Sequence, residues 1–129
     1  MDHAASIEYI NSVLAEYSKT SMLMSRDYRR SFLTAKDRQI VLMALLPKED
    51  IPSEVHKDKA QCLYVLKGKM YSHIGDAVQF SETGRSVFIP PGTRHYIANG
   101  STEETLHIIS LYTPPEWPEI YVERRQRAK

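Results

Sequence analysis

At 129 residues and 14.9 kDa, the chain has the length of one domain and can bury roughly two thirds of its unfolded surface. Its 42% hydrophobic and 26% charged residues are ordinary for a globular fold, and a net charge of +1 argues against a polyanion partner such as nucleic acid. Cys62 is the single cysteine, which excludes an intrachain disulfide and fits a reducing setting; with no leader-like start and no apolar run of about 18 residues, a cytoplasmic protein without a membrane partner is expected.

Ile7, Ile10, Val13, Leu14 and Tyr17 recur at helical spacing, with Glu8, Asn11 and Glu16 between them. This predicts an amphipathic helix over residues 4–18, capped by Asp2 or Ser6, ending at Ser18-Lys19-Thr20 and lying over a sheet or a second subunit. Beyond residue 20 the texture changes to short apolar runs with turn residues between them. Residues 28–34 and 39–46 read as strands, 47–52 as a loop between Pro47 and Pro52, then 62–66 and 70–74 as strands around a turn at Gly68. Residues 78–80, 86–89, 95–98 and 105–112 complete the series, with Asn99-Gly100-Ser101 as a turn in which Asn99 ends its strand. Many short strands at such spacing predict an all-β barrel or sandwich. Arg124-Arg125-Gln126-Arg127-Ala128-Lys129 reads as a solvated basic tail.

The densest signal is residues 84–99, Gly-Arg-Ser-Val-Phe-Ile-Pro-Pro-Gly-Thr-Arg-His-Tyr-Ile-Ala-Asn. Pro90 and Pro91 fix φ and remove two donors, so the chain must bend, and Gly92 permits a conformation closed to other residues. His95 follows this stiff corner and is held in direction, as a metal ligand requires. Glu54 and His56 are one residue apart, so on a strand both face the same way. If Gln61 lies on an adjoining strand and His95 on a third, the four side chains can converge inside a small barrel. Two imidazoles and one carboxylate form a set associated with Fe(II), and the same donors suit Zn, Mn, Ni or Cu, with the Gln61 carbonyl as a neutral fourth ligand. Taken singly, His56 reads as an exposed loop residue near Lys57-Asp58-Lys59, and Glu54 as a surface charge.

The spacings Glu54-Val-His56, Gln61, Gly68 and Gly84, Pro90, Gly92, His95, Asn99 resemble the paired motifs of the cupin superfamily over roughly residues 38 to 117. The resemblance implies a double-stranded β-helix, or jelly-roll barrel, with the helix as an N-terminal extension. Residues 1–20 are then the extension, 21–118 the barrel and 119–129 the tail. Cupins usually carry a histidine where Glu54 stands and a glutamate where Gln61 stands. Glu54-Val-His56, Gln61, Val87 to His95 and Tyr112-Thr-Pro-Pro-Glu-Trp-Pro118 are more narrowly similar to small cupins described as mannose-6-phosphate isomerase-like, which typically have a histidine at Trp117 and an Asp at Ala60. The donor set with the cupin resemblance leads to the expectation of a divalent ion (Zn, Fe, Mn or Ni) on Glu54, His56, Gln61 and His95 and a small-molecule partner, and cupins' common pairing through barrel edges implies a homodimer.

Three functions follow as expectations: a metal-dependent enzyme acting on a sugar or sugar phosphate by isomerisation or epimerisation, a non-haem Fe(II) dioxygenase, and a small-ligand-binding module without catalysis. An isomerase needs a general base, for which Tyr71, His73 and Tyr64 are the candidates, the first two at the barrel mouth. Quieter roles fall to His107 (outward on its strand), Arg94 (away from the metal), Cys62 (packed as a small hydrophobe), His3 (terminal) and Trp117 (an anchor for the C-terminal run).

Overall fold

Asp2 opens the first helix, α1 (His3–Glu16), with its side chain accepting from the Ala5 N–H at 2.8 Å, the capping bond that the sequence allowed to either Asp2 or Ser6. The computed structural model describes residues 1–125 and 127. Ser18 does not merely end the helical pattern. Its hydroxyl accepts from the Ser21 N–H and caps a second short helix, α2 (Lys19–Leu23). Ile10, Val13 and Met22 project from the two helices and are buried against Ile40, Leu42, Cys62, Leu66, Ile109 and Leu111. Each such side chain contributes about 1.5–3 kcal/mol by leaving water, so the helices are held by one face of a sheet.

Among the described residues ten strands follow: β1 (Arg29–Thr34), β2 (Gln39–Leu45), β3 (Asp50–Glu54), β4 (Ala60–Lys67), β5 (Lys69–Ile74), β6 (Ala77–Glu82), β7 (Ser86–Ile89), β8 (His95–Asn99), β9 (Leu106–Thr113) and β10 (Val122–Glu123). They form two antiparallel sheets, in the orders β10-β1-β2-β9-β4-β7 and β3-β8-β5-β6. The sheets face each other over a core of Tyr28, Val41, Met43, Leu45, Ile51, Leu63, Val65, Met70, Ile89, Ile97, Leu106, Ile108 and Tyr112. The expected β-barrel of jelly-roll type is therefore present, with the helices on the outer face of the six-stranded sheet. Asn99 ends β8 as expected, its Oδ1 accepting from the Ser101 N–H at 2.7 Å.

Two expectations need correction. Residues 50–52, expected in a loop, belong to β3, because Pro52 is tolerated on a sheet edge where a missing donor costs no ladder bond. The described part of the basic C-terminal run is tethered to the barrel, although Arg124 and Arg125 stay exposed. β10 pairs with β1, Arg124 bonds Asp27 at 3.0 Å, and Arg127 bonds Glu49 at 2.7 and 2.9 Å.

The Arg127 guanidinium, aided by the Leu46 N–H, holds the Glu49 carboxyl below its ordinary 4.5 against the opposing effect of partial burial. A depressed folded pKa means the pair's contribution is complete above the unfolded value and is lost as pH falls through the folded one. Glu49→Gln is expected to lower unfolding stability by about 1–2 kcal/mol at neutral pH. The gap from the unaltered chain should be full above the ordinary carboxylate value and close as pH falls through the lowered one. A gap independent of pH in urea titrations rules out this account.

Candidate metal centre

The positions of Glu54 and His95 follow from one irregularity in β3. Ile51 pairs with Ile97 and Glu54 with His95, so three steps along β3 match two along β8. The extra residue is a bulge over Pro52-Ser53, and it reverses the alternation. In a regular strand Glu54 would face opposite to the buried Ile51; with the bulge it turns to the same side, opposite the inward-facing His95. His56 lies just past the strand. Its carbonyl accepts from the Gly92 N–H at 2.8 Å, so the Pro-Pro-Gly turn that delivers His95 also clamps the backbone of His56. Gly92 has φ +80°, the left-handed conformation that its residue type allows.

Glu54, His56 and His95 meet, with one ligand atom of each within 4.8 Å of the others. Glu54 Oε1 lies 3.4 Å from His56 Nε2 and 3.5 Å from His95 Nε2. His95 is almost wholly buried, His56 nearly so, and the Glu54 side chain retains 30% exposure. The other ring nitrogens face elsewhere: His95 Nδ1 donates to the Thr93 carbonyl at 3.0 Å, and His56 Nδ1 stands at ion-pair distance, 3.2 Å, from Glu116 Oε2. In the neutral imidazoles each Nε2 is then a bare lone pair, buried and without a hydrogen-bond partner. Two imidazole lone pairs aimed at one carboxylate oxygen repel unless a proton or a cation lies among them, so the donor set fits a divalent ion.

Burial works to raise the Glu54 carboxyl, but the His56 and His95 rings facing it, together with the charges of His56 and Arg29, prevail and hold it at about 2. The Glu54 carboxylate raises His56 in turn, against burial and with help from Glu116. Glu54 is therefore an anion throughout the physiological range.

Gln61 sits on β4 opposite Tyr112 and Ile89, on the inward face. Its Nε2 donates to Ser110 Oγ at 2.9 Å, and its Oε1 is buried without a partner. Sequence reasoning missed four further neighbours. Arg29 is buried with its guanidinium over the Tyr28 and Trp117 rings, bonded to Glu123 at 2.8 Å and 4.0 Å from Glu54. Tyr112 packs edge-on against His56, Ser110 holds Gln61, and Glu116 holds His56. Burial pushes the Tyr112 hydroxyl up, against Trp117, Arg29 and Ser110, so it stays a neutral phenol. The Tyr112-Thr-Pro-Pro-Glu116 run was the available signal for two of them.

The three candidate bases do not reach the centre. Met70 and Ser72 of β5 point inward, so Tyr71 and His73 lie on the outer face with Tyr96, where the Tyr71 hydroxyl bonds His73 Nε2. Strand alternation turns them away from the Glu54 side, and they line a cavity with Ser53, Gly75, Arg94, Tyr96 and His95. Tyr64 alternates with inward-facing Leu63 and Val65 and packs in the layer beneath the helices. Trp117 anchors the C-terminal run, stacked on Tyr121 at 4.6 Å and packed against the core. Cys62 is buried under the helices, its thiol pushed up to about 12 by burial. His3 is not idle at the terminus: it stacks on Phe88 and bonds Ser86. Among the described residues no helix is long and apolar enough to cross a membrane.

A family model described as "Cupin domain" matches residues 41–112. Protein L612 of Acanthamoeba polyphaga mimivirus is 36% identical over 121 residues, covering 90% of this chain and 76% of the relative. Protein YrkC of Bacillus subtilis is 28% identical over 132 residues, covering 91% and 70%. The crystal structure of BH2720 from Bacillus halodurans superposes with a TM-score of 0.79 at 27% identity, covering 82% of this chain and 84% of that one.

Proposed function

This chain belongs to the cupin domain family, and on that premise we propose that it holds one divalent ion on Glu54, His56 and His95, with Gln61 as fourth ligand, and acts on a small polar molecule such as a sugar or sugar phosphate. The observation that carries this reading is the pair of buried, unpartnered Nε2 atoms aimed at one carboxylate oxygen. When bound, such an ion supplies Lewis-acid polarisation of a substrate oxygen or acidifies a bound water. Thr93 and Glu116 hold the imidazole tautomers, and Glu54 supplies the negative charge. Arg29, fixed between two rings beside Glu54, adds positive charge at the same place. The chemistry available is polarisation of an oxygen rather than proton abstraction by Tyr64, Tyr71 or His73, which all face away.

Turnover of sugars and sugar phosphates by zinc-loaded protein, lost on chelation and restored by zinc, is the expected result. Zinc-dependent stabilisation by such a ligand with no product formed would replace the enzyme with a binding module. The two-imidazole, one-carboxylate set supports one second reading, an Fe(II)-dependent dioxygenase. Oxygen uptake by the iron-loaded protein, absent with zinc, is its signature; turnover with zinc under anaerobic conditions excludes it.

A further inference from the structure

Residues 114–121 run as a strap from the end of β9 to the start of β10, and one buried side chain holds them down. Gln39 is fully buried. Its Oε1 accepts from the backbone N–H groups of Glu116 at 3.1 Å and Trp117 at 2.9 Å, and its Nε2 donates to the Trp117 carbonyl at 2.8 Å. Lys59 Nζ donates to the Pro115 carbonyl at 3.0 Å and stands 3.7 Å from Glu116 Oε1. Ser31 donates to the Pro118 carbonyl at 2.9 Å. This seating puts Glu116 Oε2 at 3.2 Å from His56 Nδ1.

The two imidazoles are thus oriented from different places. His95 is oriented by a carbonyl two residues before it, inside its own turn, whereas His56 is oriented by a carboxylate borne on the strap. A carboxylate accepting from the far nitrogen fixes the tautomer, aligns the ring and makes the ligating nitrogen more basic. We propose that Glu116 is the positioning residue for His56, and that through it the seating of the strap and metal binding depend on each other. This inference rests on the metal-binding reading above. Coupling of this kind is reciprocal: the factor by which a seated strap tightens metal binding is the factor by which the ion favours the seated strap.

The test uses the full chain with zinc as probe. Glu116→Gln keeps the shape of the side chain and removes its charge; competition with a chromogenic chelator should show zinc held about 10–100-fold more weakly. Gln39→Ala does not touch the ion and should weaken zinc in the same direction by loosening the strap. Long-range nitrogen–proton NMR of the zinc-loaded protein should show the proton of His56 on Nδ1. In the unaltered chain, zinc should slow amide exchange across residues 114–121, and in Glu116→Gln that slowing should shrink. Unchanged zinc affinity in Glu116→Gln, or strap exchange indifferent to zinc in the unaltered chain, overturns the coupling alone. Failure of the unaltered chain to bind zinc removes the metal reading together with it.

Discussion

Replacing His95 with alanine is expected to end stoichiometric metal binding while the barrel still folds. The side chain is 1% exposed, and its Nε2 is one of three ligand atoms converging on the centre. Its loss should weaken zinc by more than about 100-fold, the upper end of what losing an outer hydrogen-bond partner costs. Without an ion the substitution also removes one of the lone pairs facing Glu54, which offsets part of the cost of the small void left behind. The contrast therefore lies in the response to metal. Zinc at about 100 times its dissociation constant should stabilise the unaltered chain by about 2.7 kcal/mol and leave His95→Ala nearly unmoved. Elemental analysis of chelator-free preparations and paired thermal melts read both effects. Equal metal content and equal zinc-induced shifts in the two proteins would remove the centre described here.

Gly68→Ala is the substitution expected to cost most outside the site. The residue joins β4 to β5 at φ +108°, and an added Cβ would stand 2.9 Å from the Thr105 carbonyl oxygen and 3.2 Å from Leu106 Cα. Both obstacles are backbone at the start of β9, so neither can swing aside. Left-handed strain of about 1–2 kcal/mol adds to overpacking of about 1–3 kcal/mol, giving a loss of about 2–5 kcal/mol. Gly84→Ala is the internal comparison: φ is +89°, but nothing lies within 4 Å of the new methyl, so only the strain of about 1–2 kcal/mol should appear. Urea unfolding of the two variants separates the contributions. If Gly68→Ala is no less stable than Gly84→Ala, the close approach of β9 is not felt.

Much of the barrel was legible because its signals are local. The strand runs, the turns at Gly68 and Asn99-Gly100, and the stiff corner before His95 each depend on residues within a few positions of one another. The short helix α2 and strand β10 escaped because their residues carry weak local preference; Met22 is held by a core built from distant strands, and Val122-Glu123 by β1. The placement of the candidate bases was hidden for another reason. Tyr71 and His73 do share a face, as their spacing says, but period-2 spacing does not say which face is inward. That depends on Met70 and Ser72 being buried against the opposite sheet. Arg29 was invisible as a neighbour of Glu54, because twenty-five residues of chain separate them.

By itself, then, the amino-acid order determined the strand-rich pattern and the rigid delivery of His95, since proline and glycine set backbone angles without outside help. The tertiary structure decided whether Glu54 reaches that histidine. A bulge over Pro52-Ser53, defined only by pairing of β3 with β8, turns the carboxylate inward, and the strap seated on Gln39 brings Glu116 to His56. Side-chain direction along a strand can be counted from sequence only while the strand stays regular, and a bulge exists only relative to its partner.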